Sequence, residues 1–161
     1  MPPLLKAIAV AIAAVVIVFA GYGIYVMEMQ QSSFTGPVPS TFTVNGKTYA
    51  FTYAATSRVQ WEAGLMNKKI TNTTTMLFAF PNFDTWTFWM YDTNSSLDIL
   101  WLNSTGGTAR VVYLVMSAPP CFNAGTCARY TPSSAANFAI EAEAGFAAAN
   151  GISVGTPVKF G

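Results

Sequence analysis

Histidine is absent from the 161 residues, and only 9% of them are charged. The first absence removes Ser-His-Asp triads, Cys–His dyads and the usual zinc sites. General acid–base chemistry would fall to seven carboxylates, or to Tyr, Lys and Cys. The second lies far below the roughly 25% of an ordinary soluble domain, so Ser, Thr and Asn must make the exterior polar. Eight basic and seven acidic residues leave a net charge of +1 and stand singly along the chain. Without a basic stripe to neutralise a phosphate backbone, nucleic acid is not an expected partner. Cysteine is confined to Cys121 and Cys127. Their spacing is too wide for a redox C-x-x-C pair but suits a hairpin tip. In an oxidising compartment they would form a disulfide worth roughly 2 kcal/mol, two free thiols being the alternative.

The charge that exists avoids one long stretch. Ala7 to Met27 is a run of 21 residues without a charged side chain. At ~1.5 Å per residue it would cover ~32 Å, matching the hydrocarbon core of a bilayer. Gly21 and Gly23 are tolerated in lipid, and Tyr22 and Tyr25 suit the interface. Lys6 precedes the run and Glu28 follows it, which places the N-terminus in the cytoplasm and the remainder outside. The expectation is a single-pass membrane anchor with an extracytoplasmic C-terminal domain. A cleaved signal peptide is the alternative, since Val18-Phe19-Ala20 offers small residues at suitable spacing. Three sequons, at Asn72, Asn94 and Asn103, agree with an external location and are candidate glycosylation sites.

Residues 28–39 form a polar linker punctuated by Pro and Gly, leaving residues 40–161 as one domain. Thr41–Val44, Asn45-Gly46 and Lys47–Ala54 predict a hairpin with a type I′ turn. Thr56 or Ser57 can cap a short helix reaching about Met66. Met76–Phe80 predicts a buried strand stopped by Pro81. Thr85–Tyr91 is apolar on both sides and predicts a central strand covered on both faces. Strands follow at Leu97–Leu102 and Arg110–Met116, joined through Ser104-Thr105-Gly106-Gly107, and at Ala136–Glu143. A helical turn at Phe146–Asn150 and a strand at Thr156–Phe160 complete the pattern. The predicted class is α+β, mainly antiparallel sheet or a small barrel-like domain with one or two short helices.

Several short motifs recur in one order: Ala55-Thr56, Gly64-Leu65-Met66, Met76-Leu77-Phe78, Phe88-Trp89-Met90 with Thr93, and Leu97-Asp98-Ile99. Pro119-Pro120-Cys121, Tyr130, Glu141, Gly145, Gly151 and Gly155 continue the series. Over about residues 40–160 the chain resembles domain of unknown function 192, also called uncharacterised protein family 0127. The resemblance implies a compact sheet-rich domain, often exported or membrane-attached, and no established activity. Asn67-Lys68 and Tyr91-Asp92 occupy positions that are commonly basic or amide-bearing in the family, and Tyr91-Asp92 is neither.

Candidate chemistry rests on few side chains. Asp98 shares a strand face with Leu100 and Leu102, so it points to the core and needs a partner, with Arg58 or Arg110 as candidates. The competing roles are a structural buried pair and a ligand-binding or catalytic carboxylate. Glu141 and Glu143 lie two apart on one strand face, as a solvated edge or as a cation or acid–base pair. Met66, Met76 and Met90, with Trp89 adjacent, are ordinary core filler or soft ligands for Cu(I). Trp61, Trp86, Trp89 and Trp101 either build the core or line a stacking pocket.

Together these residues predict a candidate ligand pocket drawn from Arg58, Met66, Trp89, Met90, Asp98 and Glu141. The expected function is a non-catalytic module, without cofactor or bound metal, that binds a small molecule or an envelope protein beside the membrane. The alternatives are a carboxylate-dependent hydrolase of surface glycans using Asp98 or Glu141, and a copper-handling domain using the methionines.

Overall fold

A computed structural model describes residues 33–105 and 108–161. The predicted anchor at residues 7–27 lies outside the described residues. Among those that are described, no helix is long and apolar enough to cross a membrane.

The first hairpin forms where Asn-Gly predicts it. Strands β1 (Thr41–Val44) and β2 (Lys47–Ala50) pair antiparallel, with Thr41 opposite Ala50 and Val44 opposite Lys47. Asn45 and Gly46 take φ of 48° and 80°, the positive pair that a type I′ turn requires. The second half of the predicted strand separates as β3 (Tyr53–Ala55), which runs parallel to β4 (Thr75–Asp84). A parallel neighbour needs a crossover, and the segment from 56 to 74 supplies it with helix α1 (Arg58–Ala63). Gln60 Oε1 accepts the backbone N–H groups of Thr56 and Ser57 at 2.8 and 3.1 Å, fixing the start of that helix.

The remaining elements are β5 (Phe88–Trp89), β6 (Leu97–Thr105), β7 (Thr108–Ala118), β8 (Arg129–Tyr130), β9 (Ala136–Glu143), helix α2 (Phe146–Ala149) and β10 (Pro157–Phe160). Eight strands form one sheet in the order β2-β1-β10-β7-β6-β9-β4-β3, curled into a half-barrel. Curling is what lets Phe42 and Val44 of β1 share a core with Leu77 and Ala79 of β4, five places away in the sheet. Leu100, Leu102, Val111, Ile140 and Val158 belong to the same inner core, and Ala147 of α2 joins it. The opposite face carries a second core of Met76, Phe78, Phe80, Leu97, Ile99 and Trp101, with Leu65, Phe88 and Met90 brought in from outside the sheet. Alternation along β4, β6 and the Phe138–Ala142 part of β9 sends neighbouring residues to different cores, as a strand with both faces covered must.

Two strands differ from the sequence-based expectation. Strand β4 does not stop at Pro81 but continues to Asp84. Its ladder to β9 pairs Ala79 with Phe138 and resumes only at Asp84 with Ala136. Pro81 falls in that irregular stretch, where no ladder N–H is required of it. Thr85–Tyr91 is not a central strand. Only Phe88–Trp89 is extended, in a two-stranded ribbon with β8 that is separate from the main sheet. Its apolar residues on both sides reflect packing over the outer core instead: Trp86 stacks on Phe80 at 4.3 Å and Phe88 meets Trp101 edge-on at 5.2 Å.

Trp101 is a buried core residue, Trp61 and Trp86 are half-buried against the outer core, and all three have their N–H groups satisfied. Trp101 Nε1 donates to the Trp86 carbonyl at 2.8 Å, and Trp61 Nε1 to the carbonyls of Ala55 and Ala79.

Cys121 and Cys127 are joined by a disulfide with Cα atoms 5.6 Å apart. The loop is tied to the segment after β5: Cys121 N–H donates to the Met90 carbonyl, and Asp92 N–H donates to the Cys121 carbonyl at 2.8 Å. Replacing both cysteines by serine is expected to lower unfolding free energy by about 2 kcal/mol, measured by urea denaturation. A loss under about 0.5 kcal/mol would mean that the backbone bonds hold the loop unaided.

Candidate functional site

Strand β9 lies between β4 and β6, and its alternation divides two acidic candidates between the two cores. Ile140 and Ala142 face inward with Leu100 and Leu77, while Glu141 faces outward between Met76 of β4 and Ile99 of β6. Asp98 pairs in register with Ala142 and therefore faces inward. The two carboxylates are on opposite faces of one sheet and cannot flank a common bond.

Asp98 is fully buried and its oxygens are occupied. Oδ1 accepts the Ser117 N–H at 2.8 Å; Oδ2 accepts those of Gly145 at 3.1 Å and Ala147 at 2.8 Å. Its partners are three backbone amides rather than an arginine. Arg58 forms an exposed ion pair with Glu62, and Arg110 donates to the Gly155 carbonyl. Ser117, which has φ of +55°, and Gly145, with φ of +94°, both stand in the left-handed region. The carboxylate thus ties the irregular end of β7 at Ser117 and the turn before α2 to β6.

Glu141 is the reverse case. It is only 4% exposed, and no donor among the described residues reaches Oε2. Burial pushes its carboxyl up to about 8 from an ordinary 4.5. Around neutral pH the side chain is therefore mainly a neutral acid in an apolar setting, able to donate one hydrogen bond or, on losing its proton, to meet a positive charge.

The roof over Glu141 is a glycine. Gly64 ends α1, its N–H donating to the Gln60 carbonyl at 2.9 Å, and it takes φ of 45° and ψ of −133°. A Cβ there would lie 3.6 Å from the Phe78 ring and 3.9 Å from Glu141 Oε2. Gly64→Ala is expected to cost about 1–3 kcal/mol through backbone strain. Urea denaturation checks this, and an unchanged midpoint would show that the loop relaxes freely. Beyond Gly64 come buried Leu65 and half-buried Met66, then Asn67, whose N–H donates to the Asp92 carbonyl at 2.9 Å. Asn67 and Asp92 have φ of 56° and 49°, a left-handed conformation that Asn and Asp tolerate best. The roof loop is therefore fastened to the segment that follows Met90, and that segment is fastened to the disulfide loop.

The six residues of the predicted pocket do not meet in one cleft. Glu141 and Met90 belong to the outer core, and Met66 lies in the loop above it. Asp98 is on the far face, and Arg58 lies exposed on α1. Trp89 is half-buried with the Arg129 guanidinium 3.9 Å from its ring centroid and Tyr91 at 5.2 Å. Gly64 and Arg129 were not among the six. Gly64 stood in the Gly64-Leu65-Met66 motif but inside the predicted helix, which hid its role as a cap; β8 is only two residues long and left no signal for Arg129.

Asn72 and Asn94 are exposed, whereas Asn103 is half-buried within β6. No group of three or more His, Cys, Asp or Glu that could hold a metal occurs among the described residues.

Comparison with curated proteins gives no match. Among solved structures, the fold is similar to that of a protein from Sinorhizobium meliloti 1021 provisionally described as a transcription regulator. It shares 25% identity and a TM-score of 0.62, covering 78% of this chain and 98% of that one. A protein of unknown function from Novosphingobium aromaticivorans DSM 12444 is similar at 24% identity and a TM-score of 0.63, covering 80% and 91%. The model of the DUF192 family, described as "Uncharacterized ACR", matches residues 40–160, and so includes the half-barrel with both the Asp98 and Glu141 environments. The chain belongs to the DUF192 family.

Proposed function

We propose that this chain is a membrane-tethered, extracytoplasmic binding module whose ligand is anchored by Glu141. The observation that carries this reading is the unpartnered Glu141 Oε2 in an apolar surround. A carboxyl buried without a donor is costly, and such sites are retained where a bound group supplies the missing partner. The hydrolytic alternative would have to pair Glu141 with the half-buried Glu143, two residues along the same strand face, because Asp98 is turned away and bonded to three amides. The membrane address rests on the uncharged run at residues 7–27, the single lysine before it and the three sequons after it. The disulfide agrees with an oxidising compartment.

The test is thermal denaturation of the full chain in detergent against sugars, amines, metal ions and apolar small molecules. At least one class should raise Tm in the wild-type chain and leave Glu141→Leu unmoved. Equal responses from both proteins would remove Glu141 from the site. For the address, protease added to intact cells should release the domain, and its complete protection would contradict an external location.

A further inference from the structure

The residues around Glu141 narrow the kind of group that can satisfy it. Met76 is its cross-strand partner on β4, and directly opposed residues on one sheet face hold their Cβ atoms about 4.5–5.5 Å apart. A thioether and a carboxylate so placed can share one ion. Met90 is buried in the same outer core, and Met66 stands half-buried two residues beyond the glycine roof. Leu65, Phe78 and Ile99 of this core offer no oxygen or nitrogen from their side chains; of the polar-tipped residues packed against it, Trp61 has its N–H engaged by two carbonyls and Tyr53 stands in register with Met76.

Two candidate cations fail against this donor set. A hard divalent ion needs several oxygens, and no acidic cluster of three is found among the described residues. It would also leave an uncompensated positive charge in an apolar core. An ammonium group would match the single negative charge, but its three N–H donors would find one carboxylate and otherwise thioethers and hydrocarbon. A soft monovalent ion meets both conditions. One carboxylate neutralises its charge, and thioethers fill its remaining positions without any need for oxygen.

We propose that Glu141, Met76 and Met90 form a binding site for a soft monovalent metal ion, Cu(I) in the cell. This rests on the reading that Glu141 anchors a bound species and names that species. Both described cysteines are held in the disulfide, so no thiolate competes for the ion.

Ag(I), which is redox-inert, is the probe. The full chain in detergent and chloride-free nitrate buffer is titrated by isothermal calorimetry, and the loaded protein is examined by X-ray absorption at the silver edge. One Ag(I) per chain is expected, with both sulfur and oxygen in its coordination shell. Met76→Leu and Glu141→Gln should each weaken binding about tenfold or more, a loss at least as large as removing an outer-shell partner. Both exchanges nearly conserve volume, and circular dichroism checks that the fold is kept. Absence of Ag(I) binding overturns the proposal, as does an all-sulfur shell, or an affinity equal in wild type and Glu141→Gln. If Ag(I) fails while an organic compound raises Tm in a Glu141-dependent way, the metal is wrong and the anchoring role of Glu141 stands. If both fail, both are wrong.

Discussion

Asp98→Ala is expected to lower unfolding free energy by roughly 3–5 kcal/mol, the scale for breaking a buried charged network. The side chain is fully buried and takes three backbone N–H groups, from Ser117, Gly145 and Ala147. Alanine leaves all three donors without their acceptor, the Ala147 amide in the protein interior, and the other two belong to exposed residues with positive φ. The loss is therefore not confined to one contact. It releases the irregular end of β7 at Ser117 and the entry to α2 together. Asp98→Asn keeps one acceptor oxygen but turns an NH2 group toward amide donors, so it should recover only part of the loss. Urea denaturation of the full chain in detergent measures both. A loss below about 1 kcal/mol for Asp98→Ala would show that the turns hold themselves.

Glu141 is expected to have the opposite signature. Its folded pKa of about 8 lies above the unfolded value of 4.5. Between these values the unfolded chain gives up a proton that the folded chain keeps, so stability falls as pH rises. The slope is about 1.4 kcal/mol per pH unit. Below about pH 4.5 the penalty is absent; above about pH 8 it is complete, at roughly 5 kcal/mol. Glu141→Gln has no charge to suppress and should be the more stable protein at pH 7.5, by roughly 3–4 kcal/mol. The difference between the two stability curves across pH 4–9 isolates Glu141 from the other acids. Parallel curves would mean that the carboxyl finds a partner in solution. A substitution that strengthens the fold while abolishing binding is what a carboxyl kept for function, at the expense of stability, would give.

The two carboxylates show how far sequence alone carries. Alternation placed Asp98 inward with Leu100 and Leu102, and the structure puts it there. Its partners were beyond reach because they are backbone amides from β7 and the α2 entry, whose approach depends on tertiary folding rather than residue type. Burial of Glu141 was hidden for a related reason. Two glutamates on one strand face suit a solvated edge, and only the α1 roof and the β5–β8 ribbon cover that face. The hairpin at Asn45-Gly46 was legible because turn chemistry is local. Thr85–Tyr91 misled because an apolar segment laid over a sheet has the same composition as a strand within one. Pro81 misled because proline stops a ladder only where the ladder needs its N–H, and here a register shift removes that need. The pairing of Met76 with Glu141 is a matter of register between strands far apart in sequence, which no local pattern encodes.

Carbon-13 NMR of the side-chain carboxyls, with the Glu141 signal assigned by its loss in Glu141→Gln, tests the basis of the whole account. The chain has four glutamates, so the spectrum is simple. In the metal-free protein the Glu141 carboxyl should titrate near 8. A midpoint near 4.5, the value of a glutamate in water, would mean a solvated or paired side chain and no vacant partner for a ligand to supply.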